Sequence, residues 1–249
     1  MPKEKPRDLR AGLALLWGEQ EPPSRGPKPS LSPQRIAAAA VALADAEGLD
    51  AVSMSKVAGE FGVSAMALYR YVPGKAELVE LMVESVLAEV PDVTAAGDGW
   101  RERLALWVRC SAGAFRAHPW LLAATAMRRR LLGPHQLGWL DAALTALEPT
   151  GLPAAAQHRV FVLVAGLVRT LTQEVVDYDQ QDGEEWERLS GELLAREAHR
   201  FPALARSIEA GGFAPSAVDP LEFGLDRVLD GVQVLVDREG AGREGAGEV

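Results

Sequence analysis

Between Val52 and Lys75 the chain reads VSMSKVAGEFGVSAMALYRYVPGK, a stretch whose punctuation forces two very short helices into a fixed mutual angle. Ser53 and Ser64 each stand where a serine oxygen can accept from the free N–H groups of a first helical turn. Gly62 between them supplies the turn, and Pro73 with Gly74 breaks the chain again. The second rod, predicted over Ala65 to Tyr71, is too short to hold itself together in water. Leu68 is its inward anchor, so most of its other side chains face outward. This is a helix-turn-helix pattern, and an exposed helix tip of that size matches the width of a duplex major groove.

The flanking sequence supplies the rest of a compact unit over residues 32–91. Ser32 followed by Pro33 is a strong helix start, since proline at the first helical position has no N–H to lose. The predicted helix runs to Glu47 with Ile36, Ala40, Leu43 and Ala44 on one stripe, and Gly48 gives it a left-handed stop. In the next helix Val57, Ala58 and Phe61 face inward. A further helix starts at Lys75 and carries Leu78, Leu81, Met82, Val86 and Leu87 toward Pro91.

Residues 1–31 form an extension, with an amphipathic helix near 8–18 and a Pro- and Gly-rich linker. Its Leu13, Leu16 and Trp17 dock on the body or on DNA, or else the segment is partly disordered. Residues 92–239 form a larger unit of helices predicted at 99–117, 120–131, 134–147, 153–178, 183–199 and 219–238. No segment alternates as a strand would, so the fold class is all-α: an N-terminal three-helix unit built around the helix-turn-helix plus a larger helical domain. Positions 160–168, VFVLVAGLV, are apolar all round and belong in a core or between subunits. The 219–238 helix carries so wide an apolar stripe that it needs a partner. Residues 240–249, rich in Gly and Glu, are expected to be a disordered tail.

Composition excludes several functions. Cys110 is the single cysteine and the four histidines are scattered, so neither a disulfide nor a metal site is expected, and no cofactor. The apolar run Leu13 to Trp17 is too short for a secretory signal or a membrane span, which makes cytoplasmic the expected location and a membrane partner unexpected. An enzyme would need a phosphate loop, metal-ligand spacing or nucleophile elbow that the sequence lacks. Net charge is −9, but residues 1–91 carry 10 basic against 12 acidic residues and residues 92–249 carry 16 against 23, so the acidity lies mostly away from the helix-turn-helix. Near that motif Lys56, Arg70 and Lys75 outnumber Glu60.

A recognition helix reads bases through its first turns, which assigns Ala65, Met66, Ala67 and Arg70 to the groove floor. The first three can touch only thymine methyls, leaving Arg70 for a bidentate contact to guanine. Tyr69, Tyr71 and Lys75 are placed for phosphates, as are Ser53, Met54 and Ser55 at the preceding helix start and Ser64 at the cap.

On these residues the chain resembles the TetR family of bacterial repressors, over about Ser32 to Leu87. The capped first helix, SMSKVAGEFGVS, LYRYV in place of the family's Leu-Tyr-x-His-Phe, and PGKAELV carry the resemblance, and HPWL at 118–121 extends it weakly into the C-terminal region. Tyr71 and Val72 depart from the usual His and Phe, and Gly59 in mid-helix costs about 1 kcal/mol relative to Ala. The resemblance implies a homodimer binding a palindromic double-stranded DNA operator, paired through the 153–178 and 219–238 helices. It also implies an effector pocket in the C-terminal domain for a small-molecule inducer. Candidate ligand contacts there are Trp107, Phe115, His118, Met127, Arg128, Trp139, Phe161 and Thr170. Repression is the expected mode, since blocking a promoter needs no further contacts. A rival reading is a helix-turn-helix interaction protein with weak or lost DNA binding.

Overall fold

The computed structural model describes residues 9–19, 31–126, 132–178, 183–212 and 218–246, and among these it is helical throughout with no strand. The helices are α1 (Leu9–Leu16), α2 (Pro33–Glu47), α3 (Met54–Gly59), α4 (Ala65–Leu68), α5 (Lys75–Val86), α6 (Trp100–Ala117), α7 (Trp120–Ala126), α8 (Pro134–Leu147), α9 (Ala154–Tyr178), α10 (Gly183–Arg196), α11 (Pro202–Glu209) and α12 (Pro220–Ala246).

The head forms as its caps dictate. Ser32 Oγ accepts from Arg35 N and Ser53 Oγ from Lys56 N, both at 3.2 Å, fixing the starts of α2 and α3. Gly48 and Gly62 have φ of 83° and 65°, the left-handed region that glycine enters without cost. Ile36, Ala40, Val57, Leu68, Val72, Leu78 and Met82 close the head's core. Leu15 and Leu16 of α1 belong to that same core, so the N-terminal helix docks on the head, packed along α5. The Trp17 indole also donates to Leu132 O at 3.3 Å.

The larger core lies among α6, α8, α9 and α12, with Leu104, Val108, Ala143, Leu147, Val164, Val168 and Leu225 fully enclosed. Side chains of α2 and α5 help tie head to body. Asp45 Oδ1 on α2 accepts from the Trp120 indole at 2.7 Å and lies 2.8 Å from His118 Nδ1. Glu84 and Leu87, at the end of α5, meet α8.

Several boundaries differ from expectation. The rod expected over 65–71 is one helical turn ending at Leu68; Tyr71 N and Val72 N both return to Leu68 O, which closes the chain into a tight turn before Pro73. Ser64 occupies the cap position but its side chain makes no cap bond. Helix α10 ends at Arg196, and α11, opened by Pro202 at its first turn, lies between the helices expected at 183–199 and 219–238. Helix α12 continues to Ala246, so the backbone of 240–246 is helical where a disordered tail was expected. Of the run at 160–168, Val160, Val164 and Val168 are buried while Val162 and Leu163 are exposed, at 54% and 56%.

Candidate functional site

The outward tip of the head is formed by α4 and the turn after it. Leu68 is fully buried and pins α4 down, while Met66 stands 72% exposed and Tyr69 and Arg70 are also exposed. Arg70 and Lys75 have no ion-pair partner among the described residues, which leaves two uncommitted cations on this face. Lys56 is committed instead: its Nζ sits 2.7 Å from Glu47 Oε2. Ser55 and Ser64 are exposed, whereas Ser53 is half-buried and spends its oxygen on the α3 cap. Ala65 and Tyr71 are half-buried against the head core, and Ala67 is half-buried beside Met66. Met54 is a correction. Its side chain is 6% exposed and lies in the head core, because the first residue of α3 falls on the same helix face as Val57 and Ala58.

A cavity of about 200 Å³ opens in the body between α6, α7, α8 and α9. Its walls are Trp107, Ser111, Ala114 and Phe115 of α6, Leu121 and Thr125 of α7, Gln136, Trp139 and Leu140 of α8, and Phe161, Ala165 and Val168 of α9, with Leu87 at the end toward the head. The aromatics are mutually fixed. Trp107 meets Trp139 and Phe161 edge-on at centroid distances of 6.3 and 5.9 Å, and its indole donates to Trp139 O at 2.8 Å. Ser111 Oγ is buried without a hydrogen-bond partner among the described residues, an arrangement that costs free energy unless something in the cavity answers it.

Four expected ligand contacts, Trp107, Phe115, Trp139 and Phe161, therefore converge on one space. His118 does not: it is turned to Asp45 at the joint between head and body. Thr170 is exposed on the far side of α9, because it lies two residues past Val168 and so on another helix face. Met127 and Arg128 lie outside the described residues. Ser111, Thr125 and Gln136 were missed, although Ser111 falls midway between Trp107 and Phe115 at four-residue spacing and could have been found by extending that stripe.

One route joins the cavity to the reading tip. The Trp139 indole donates to Leu87 O at 2.9 Å, and Leu87 follows directly on α5, which begins at Lys75 beside the tip.

With that geometry in view, two family descriptions match the chain: "Bacterial regulatory proteins, tetR family" over residues 36–82 and "Tetracyclin repressor-like, C-terminal domain" over residues 93–236. The chain belongs to the TetR family. It is similar to the HTH-type transcriptional repressor DrrR1 of Streptomyces coeruleorubidus, at 38% identity over 240 residues, 92% of this chain and 87% of that one. Its fold is similar to that of apo ActR from Streptomyces coelicolor, with a TM-score of 0.71, 26% identity, and coverage of 86% of this chain and all of ActR. ActR is also known in complex with actinorhodin, and that structure matches with a TM-score of 0.67, 26% identity, and coverage of 82% of this chain and 96% of the other. As a TetR-family member the chain is an all-helical, DNA-binding transcriptional regulator with a C-terminal ligand-binding domain and not an enzyme. No described helix is long and apolar enough to cross a membrane.

Proposed function

We propose that this regulator binds a palindromic operator as a homodimer, represses the genes beside it, and is released by a small apolar inducer that enters the cavity bounded by Trp107, Trp139 and Phe161. The observation that carries the reading is the physical continuity from that cavity, through Trp139 and Leu87, along α5 to an exposed tip with two uncommitted cations. Arg70 reads a base edge, Lys75 and Tyr69 hold phosphates, and Met66 contributes apolar contact to thymine methyls.

Pairing is assigned to α9 and α12. Val162, Leu163 and Val175 on α9 and Phe223 and Val234 on α12 are large apolar side chains left in solvent, and a groove runs between the two helices beside Leu163, Val228 and Leu235. A second copy covering that face would bury a stripe that a monomer leaves wet.

The inducer is a planar aromatic molecule with one hydroxyl or carbonyl group. Three aromatic walls favour stacked or edge-on rings, and Ser111 Oγ supplies a single polar contact. Actinorhodin and (S)-DNPA bound to the similar ActR support a small organic ligand for this fold. The cavity's 200 Å³ is below the roughly 300–1,000 Å³ typical of ligand pockets, so filling it spreads α6, α8 and α9. A ligand that prefers the spread state weakens DNA binding by the same factor.

Titrating random duplex with salt tests the DNA reading. Binding at low salt that weakens steeply as salt rises is expected. No binding even at low salt favours the rival, an interaction protein whose helix-turn-helix no longer holds DNA.

A further inference from the structure

The start of α8 lacks a cap of its own. Gly133 stands at the cap position with no side chain, and Pro134 at the first helical position has no N–H. The next two amides nonetheless find an acceptor: His135 N donates to Glu84 Oε2 at 2.9 Å and Gln136 N to Glu84 Oε1 at 3.0 Å. Glu84 belongs to α5, so one helix caps another from 51 residues away in sequence. The carboxylate is buried, and it sits at the positive end of the α8 dipole, where negative charge is stabilised. His135 Nδ1 lies 2.9 Å from Glu84 O, and since a carbonyl oxygen only accepts, Nδ1 carries the proton and adds a third bond. Gly133 is what makes room. A Cβ there would meet the Glu84 carboxyl carbon at 2.3 Å.

The same turn of α8 faces the cavity. Gln136, Trp139 and Leu140 line it, and Gln136 is one of the two residues whose amides Glu84 holds. We propose that Glu84 is the positioning residue through which the state of the cavity sets the orientation of α5, and with it the spacing of the reading tips. The proposal rests on the function proposed above and assigns its coupling to one carboxylate. The Trp139 to Leu87 bond holds α8 to the segment after α5; Glu84 holds the α5 helix itself, one turn closer to the tip. A displacement of the first turn of α8 then carries α5 along instead of sliding past it.

A capping role confined to α8 and a coupling role make different predictions for one double substitution, Glu84→Ala with Gly133→Ser. The serine hydroxyl caps α8 from its own chain position, and the alanine removes the side chain that the new Cβ would have struck. Local capping is thereby restored while the tie to α5 is gone. The full-length protein and this variant are each mixed with a duplex that the unaltered protein retains from a random pool, and amide hydrogen exchange is followed over residues 135–140. By reciprocity, binding at the tip must be felt at the cavity if the two are coupled. In the unaltered protein the duplex is expected to change exchange at His135 and Gln136 by about fivefold or more. In the double variant the duplex still binds and that change disappears.

An equal change in the double variant overturns the proposal, since a cap supplied within α8 would then suffice. Duplex binding by the unaltered protein with no change over 135–140 overturns it as well, leaving the DNA-binding reading intact. Failure of the unaltered protein to retain any duplex overturns that reading and the proposal with it.

Discussion

Arg70 and Lys75 are both exposed cations at the tip of the head, and the proposed reading gives them different work. Arg70 lies two residues beyond the single turn of α4, on the side proposed to face the groove floor, while Lys75 begins α5 beyond the Pro73 break. Replacing Arg70 by Ala is expected to cost about 1–3 kcal/mol on the preferred duplex and to flatten preference among sequences. Lys75→Ala should weaken all duplexes alike and reduce the salt slope by about one charge. A competition series over preferred and scrambled duplexes at several salt concentrations checks both, and unchanged sequence preference in Arg70→Ala would remove its assignment. In the body, Ser111 carries a buried hydroxyl with no hydrogen-bond partner among the described residues. Ser111→Ala should therefore leave thermal stability of the ligand-free protein unchanged or raised, and a loss above about 1 kcal/mol would mean that the hydroxyl is satisfied after all.

The helices owe their ends to a few polar atoms, and the two serines of the helix-turn-helix show how unequal such atoms can be. Ser53 caps α3 while Ser64 makes no cap bond, so Ser53→Ala is expected to destabilise by about 1 kcal/mol and Ser64→Ala by far less, measured by denaturant unfolding. Between α6 and α12, Arg109 Nε and Nη2 each lie 2.8 Å from the two carboxylate oxygens of Glu222. Hydrogen bonding from Arg109 holds the Glu222 carboxyl below its ordinary range. A lowered folded-state value means that the pair stabilises above the ordinary carboxylate range and is lost as pH falls through the folded value. Glu222→Gln should therefore cost a few tenths of a kcal/mol to about 1 near neutrality, the pair being solvent-exposed, and nothing at pH low enough to protonate the carboxylate. The Ser32–Pro33 start and Gly48 stop of α2, the Gly99 break before α6 and the prolines that open α8 and α9 were legible in the sequence, and these four helices match expectation to within a residue. What the sequence left unread depends on contacts between distant segments. Glu84 capping α8, Asp45 gathering His118 and Trp120, and the one-turn length of α4 each require two elements to be in place before the local choice makes sense. The aromatic half of the cavity was legible from residue type alone, since large rings on the regulatory helices must line either a core or a pocket. The misassignments of His118 and Thr170 came from judging residues by chemical type without their helix face.

At the scale of the molecule, two bodies share the chain: a small head closed by Ile36, Leu68 and Leu78, and a larger core under α6, α8, α9 and α12. The larger body leaves Val162, Leu163, Phe223 and Val234 in solvent, and the proposed pairing through them would turn one short tip into two. A single tip of one helical turn with two cations cannot supply much affinity, and the chain's net charge of −9 gives no help at long range. Two tips held at a fixed separation can. Their separation would have to match one duplex turn, about 34–36 Å, so in the proposed mechanism a modest spreading of α6, α8 and α9 suffices to release DNA. The most direct measurement is to sequence the duplexes that the full-length protein retains from a random pool and to count protomers on each retained duplex. The account predicts two protomers on an inverted repeat whose half-site centres lie about 10 base pairs, or a whole number of turns, apart. One protomer on a lone half-site, or half-sites with no fixed spacing, would contradict it.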